Sequence, residues 1–125
     1  MVGNLSRSYT VSVVDDDKAI REALSNLLEL EGLHVETFGS AEEFVTSPPA
    51  ARGSCLILDV QLPGMSGLEL QHRLSQNKDS ISTIFITGRG DDAVRDRALL
   101  SGAVAFFLKP FDSNALLEAV RSTLK

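Results

Sequence analysis

A single cysteine, Cys55, leaves this 125-residue chain without an internal disulfide. Its place in an apolar run marks a buried, inert thiol, compatible with a reducing cytoplasm. Long apolar stretches are missing too. No run approaches the ~18 residues of a spanning helix, and the first nine residues lack a signal peptide's apolar segment. A soluble, unexported, cytoplasmic protein with no membrane partner is expected. Positive charge is scarce: 12 basic against 17 acidic residues give a net charge of −5. That balance argues against a surface built to hold a phosphate backbone, so nucleic-acid binding would need another chain or domain. The two histidines, His34 and His72, have no metal-ligand spacing. No internal repeat, low-complexity segment or Asn-Gly hairpin signal occurs. What remains, with 43% hydrophobic residues, fits one globular domain able to bury its own core.

Residues 1–8 are polar and contain glycine, and are expected to form a flexible lead-in to a domain spanning 9–125. Thr10–Val14 is β-branched and apolar enough for a buried strand, and runs into Asp15, Asp16 and Asp17. Ile20, Ala23, Leu24, Leu27 and Leu28 then recur at helical spacing, with Gly32 placed to end the helix. Leu33–Phe38 predicts a second strand. Ser40 and Glu43 have capping-box spacing for a helix that Pro48 and Pro49 must end. The third strand is Cys55–Leu58 running into Asp59, a continuous apolar stretch closed by Pro63-Gly64, as in a strand covered on both faces. Helix over Leu68–Leu74, strand over Ile81–Thr87, helix over Asp91–Ser101, strand over Ala103–Leu108 and helix over Ser113–Leu124 complete the pattern. Five strands alternate with helices, which predicts an α/β fold: a five-stranded parallel sheet with helices on both faces.

In such a sheet all carboxyl ends point to one rim, where ligands bind. Asp15 and Asp16, Asp59, Thr87 and Lys109 each stand at the end of a different strand. Crowded carboxylates repel unless a hard cation neutralises them, and magnesium suits oxygen ligands. Asp59, ionised at neutral pH, can attack a phosphoryl group without a general base. The charge developing on the phosphoryl oxygens calls for a cation and a hydrogen-bond donor, which Lys109 and Thr87 offer. Gly88 would leave the approach to Asp59 open.

The segments VVDDD, LILDVQLPGMSG, IFITGRG and GAVAFFLKPF, in this order and spacing, resemble the receiver domain of two-component response regulators from about Tyr9 to Lys125. The TGRGD and KPF forms look like those of the branch typified by the nitrogen-fixation regulator FixJ. The resemblance implies a (βα)5 fold in which Asp59 accepts a phosphoryl group from a sensor histidine kinase. It implies magnesium held by Asp15, Asp16, Asp59 and the backbone carbonyl of Gln61, with Asp16 the more direct of the acidic pair. Thr87 and Lys109 would bind the phosphoryl oxygens, and Phe106 would turn inward as Thr87 moves. A cis peptide is implied at Lys109-Pro110. Phosphorylation would switch an interaction surface, with a homodimer forming through the Asp91–Leu124 region to control a transcriptional output domain beyond this chain. Gln61 and Arg89 flank the site and are expected to tune hydrolysis of the acyl phosphate. The helix reading AVRDRALLSGA departs from the small, methionine-rich residues usual in that branch.

Plainer roles compete at several positions. Asp17 reads mainly as a helix N-cap. Thr87 could serve β propensity alone, and Phe106 could be fixed core, since one of Phe106 and Phe107 must be buried. Two other functions fit parts of the pattern. A magnesium-dependent phosphatase with an aspartyl nucleophile would need a second carboxylate two residues after Asp59, where Gln61 stands. A phosphorylation-independent binding module would have no use for the acidic pair and Lys109.

Overall fold

The computed structural model describes residues 9–48, 53–77, 81–88 and 92–124. The expected lead-in, Pro49, Arg89, Asp91 and Lys125 lie outside the described residues. Strands β1 (Thr10–Val14), β2 (His34–Phe38), β3 (Cys55–Asp59), β4 (Ser82–Thr87) and β5 (Ala105–Leu108) alternate with helices α1 (Lys18–Glu29), α2 (Ala41–Thr46), α3 (Gly67–Gln76), α4 (Asp92–Leu100) and α5 (Ser113–Thr123). The strands form one parallel sheet in the order β2-β1-β3-β4-β5. The order reverses between β1 and β3, and a crevice opens beyond the strand ends at such a point. The expected fold class is the observed one.

Period-2 alternation divides the central strands between two cores. Val11 and Val13 of β1, Cys55 and Ile57 of β3, and Ile84 and Ile86 of β4 pack with Leu24 and Leu28 of α1 and Leu116, Leu117 and Val120 of α5. On the other face Val14, Leu56, Leu58 and Phe85 meet Ala41 and Phe44 of α2, Leu70 and Leu74 of α3, and Ala98 of α4. Every residue of β3 is buried, which is why that strand reads as an unbroken apolar run.

Side chains cap four of the helix starts, of which Asp17 and Ser40 are the expected ones. Asp17 accepts from the Ala19 amide at 2.9 Å, Ser40 from Glu43 at 3.1 Å, Ser66 from Glu69 at 3.2 Å and Asp112 from Asn114 at 2.9 Å. Gly32, at φ 82°, follows α1 as expected, and Gly102, at φ 99°, follows α4. Three strands begin later than the apolar pattern predicts, β2 at His34, β4 at Ser82 and β5 at Ala105. Leu33 donates its amide to Leu28 O at 3.3 Å and Ala103 to Ala98 O at 3.4 Å, so each closes the preceding helix before its strand begins.

Phe106 and Phe107 correct a second expectation, that one of the two must be buried. Both are half-buried, Phe106 against the α2–α4 side and Phe107 against the α1–α5 side. Strand β5 is at the sheet edge, where neither face is fully covered. Cys55 is buried as expected, and burial pushes its thiol up to about 11.

Candidate functional site: an acidic crevice at the carboxyl ends of β1, β3, β4 and β5

Strand β1 delivers Asp15 to the rim fully buried. Its amide donates to Phe38 O at 3.1 Å, its Oδ1 accepts from the Asp17 amide at 2.9 Å, and its carbonyl accepts from Arg21 Nη1 at 2.8 Å. Asp16, next along, is exposed. Strand β3 delivers Asp59, only 5% exposed, whose Oδ1 accepts from the Gln61 amide at 3.0 Å. Carboxylate oxygens of Asp15, Asp16 and Asp59 all lie within 4.8 Å of one another. Residues far apart in sequence meet here, as parallel strand ends require.

The cation expected opposite them arrives from β5. Lys109 Nζ lies 2.8 Å from Asp15 Oδ2 and 3.2 Å from Asp59 Oδ2. Its backbone is held by donation from the Lys109 amide to Thr87 O at 2.8 Å, and the Lys109-Pro110 peptide is cis. Thr87 is fully buried at the end of β4, one residue beyond Ile86, the register partner of Asp59. Beyond it, a side chain added at Gly88 would meet nothing within 4 Å, in keeping with the open approach expected there.

Burial is the main force on Asp59 and disfavours its ionised form. The Gln61 amide and Lys109 oppose this while the Asp15 charge adds to it, and the carboxyl ends above its ordinary value. Burial alone would lower the Lys109 ammonium, but its contacts with Asp15 and Asp59 outweigh that and raise it. Among the described residues one ammonium therefore stands against three carboxylates. Asp15 Oδ2 is buried and meets the Lys109 ammonium, and a carboxylate oxygen can take more than one such contact, so it keeps acceptor capacity. An all-oxygen donor set with excess negative charge fits a hard divalent cation.

Two supports of the site carry no spacing signal in the sequence. Arg21 reaches the Asp15 carbonyl from α1, where an arginine at this position reads as a solvated helix residue. Gly67 reads as a turn former, yet a Cβ there would stand 2.2 Å from the Asp59 carbonyl oxygen, so only glycine lets α3 begin this close to β3. Asp17 is confirmed as a capping residue.

The fold and site define a doubly wound parallel domain with buried acidic residues and a lysine at its switch point, and the sequence comparisons give the family. This chain belongs to the response regulator receiver domains: the family model matches residues 11–121. It is 44% identical over 119 residues to the response regulator protein TodT of Pseudomonas putida, covering 95% of this chain and 52% of TodT. Nodulation protein W of Bradyrhizobium diazoefficiens is 48% identical over 115 residues, covering 92% of this chain and 51% of that protein. The crystal structure of FixJ-N superposes with a TM-score of 0.85 at 37% identity, covering 94% of each chain. The resemblance to the FixJ branch is thereby borne out. The chain spans about half the length of the curated relatives it matches. Among the described residues no helix is long and apolar enough to cross a membrane.

Proposed function

We propose that this receiver domain accepts a phosphoryl group on Asp59 from a phosphohistidine of a sensor kinase in the cytoplasm. The observation that carries the reading is the nearly buried Asp59 carboxylate, clustered with Asp15 and Asp16 and joined to Asp15 by the bridging Lys109 ammonium at the strand ends. An Asp59 oxygen attacks phosphorus as the N–P bond breaks. The electron pair stays on the leaving imidazole, which takes up a proton, and an acyl phosphate results. Asp15, Asp16, Asp59 and the Gln61 carbonyl would hold magnesium, which would supply positive charge to offset that on the transferring oxygens. Lys109 passes from pairing with Asp59 to pairing with a phosphoryl oxygen, and the Thr87 hydroxyl donates to another. The domain catalyses its own phosphorylation and, by admitting water past Gln61 and Arg89, its own dephosphorylation; Arg89 lies outside the described residues.

The phosphoryl group adds charge that Thr87 and Lys109 satisfy in one arrangement only, which biases a two-state equilibrium. Phe106, half-buried on edge strand β5, has room to turn inward as Thr87 moves. Leu99 and Leu100 of α4, Val104 before β5, and Leu108 of β5 are 40%, 87%, 46% and 52% exposed. An apolar strip of this kind supports phosphorylation-dependent dimerisation through the Asp91–Leu124 region. The dimer would control a transcriptional output domain, as befits relatives named transcriptional regulators, such as FixJ of Rhizobium meliloti. The test is intact mass after incubation with acetyl phosphate and magnesium. One added phosphoryl group, lost in Asp59→Asn and in chelator, is the expected result; no addition under any condition would overturn the reading. Sedimentation of the phosphorylated protein tests the dimer, and an unchanged profile at high concentration would contradict it.

A further inference from the structure

The loop joining β3 to α3 carries Gln61 past Asp59, and its far end is held by a residue from another element. Glu42, on α2, accepts the Met65 amide on Oε2 at 2.8 Å across 23 residues of sequence. Independent of that bond, Gly64 sits at φ +75° with its backbone so close that a Cβ would stand 2.5 Å from the same Oε2. The loop is thus shaped to press against this carboxylate. The Met65 amide, together with the residue's own amide and Arg73 of α3, holds the Glu42 carboxyl below its ordinary value against the opposing effect of burial, so the anchor is ionised at neutral pH. At the near end of the loop, the Gln61 amide donates to Asp59 Oδ1 and the Gly67 amide to Val60 O. Leu62 is buried in the core and Met65 packs against it.

We infer that Glu42 is a positioning residue for the phosphorylation site: by anchoring the Met65 amide it fixes the loop that places the Gln61 backbone beside Asp59, and so sets magnesium affinity and the lifetime of the acyl phosphate. This rests on the proposed function for the magnesium site and the lifetime, and on the loop geometry for the anchor itself. A charged acceptor restrains an amide more strongly than a neutral one, and either restrains it more than none. The order of effect is therefore Glu42→Ala, then Glu42→Gln, then wild type.

The experiment compares these three proteins by amide hydrogen exchange without phosphodonor, by calorimetric titration with magnesium alone, and by decay of the phosphorylated form. In Glu42→Ala the Met65 and Gln61 amides exchange about tenfold faster, magnesium binds several-fold more weakly, and the acyl phosphate lifetime changes, with Glu42→Gln restoring most of each. Exchange at Met65 and Gln61 equal to wild type overturns the anchor. Faster exchange with unchanged magnesium affinity overturns the positioning role. Failure of the wild type to take up phosphoryl defeats the proposed function instead, while exchange and magnesium titration still decide the role of Glu42.

Discussion

Replacing Lys109 by methionine keeps most of the buried stem and removes the one ammonium shown to bridge Asp15 and Asp59. Nothing then offsets the repulsion of the two carboxylates, which at the outer separation of 4.8 Å is about 3.5 kcal/mol at an effective dielectric of about 20. Relief by protonating one of them costs about 5.6 kcal/mol at pH 8 for a carboxyl of ordinary pKa near 3.9, but only about 1.5 kcal/mol at pH 5. At pH 8 the site therefore bears the repulsion; at pH 5 it takes the proton. Urea unfolding of Lys109→Met should show a loss of about 3.5 kcal/mol at pH 8, within the range for breaking a buried pair, and about 1.5 kcal/mol at pH 5. In thermal melts the pH 8 loss corresponds to a Tm lower by about 10–15 °C. Adding Asp59→Asn to Lys109→Met should recover most of the difference at pH 8, because the two changes share one interaction. A loss below about 1 kcal/mol at pH 8, or the same loss at both pH values, would refute the electrostatic account.

Four further outcomes follow from the same geometry. Asp59 titrates above its ordinary value when folded, so the native state holds the proton more tightly and stability falls as pH rises through that window. Asp59→Asn should accordingly raise Tm at neutral pH, and the gain should vanish below the unfolded carboxyl pKa of about 3.9; a lower Tm at pH 7 would contradict this. Magnesium at about 100 times its Kd should stabilise the domain by about 2.7 kcal/mol in urea titrations, and the gain should be lost in Asp16→Asn. Gly67→Ala drives a Cβ to 2.2 Å from the Asp59 carbonyl and should cost about 1–3 kcal/mol in urea unfolding, with magnesium binding weakened. Cys55, buried and with its thiol near 11, should resist a thiol reagent at pH 8 in the native protein and react on unfolding.

Three of the strand ends were readable because the chemical residue follows a buried run, whereas Lys109 follows the half-buried edge strand β5. Val14 precedes Asp15, Leu58 precedes Asp59, Ile86 precedes Thr87, and a parallel sheet turns those ends to one rim. Asp17 and Ser40 announce their helices by chemistry that acts within three residues. Contacts between elements left no such trace. Arg21 and Glu42 reach backbone groups whose position depends on how α1 and α2 pack, and nothing at helical or strand period marks them. The same holds for Gln71, buried on α3, which accepts from the Thr83 hydroxyl and donates to Ser101 O at 3.3 Å, tying α3, β4 and the end of α4 together. Phe106 and Phe107 misled because alternation assigns faces and says nothing of how completely a face at the sheet edge is covered.

The central claim is that Asp59 is the acceptor and that the linkage is an acyl phosphate. Hydroxylamine attacks the carbonyl carbon of such a linkage, expels phosphate and leaves a hydroxamate on the residue that carried it. After treatment with acetyl phosphate and magnesium, then hydroxylamine and trypsin, the hydroxamate should map to Asp59 within the Gly53–Arg73 peptide, and be absent when magnesium is chelated. A hydroxamate on Asp15 or Asp16, or a phosphoryl group that survives hydroxylamine, would contradict the account.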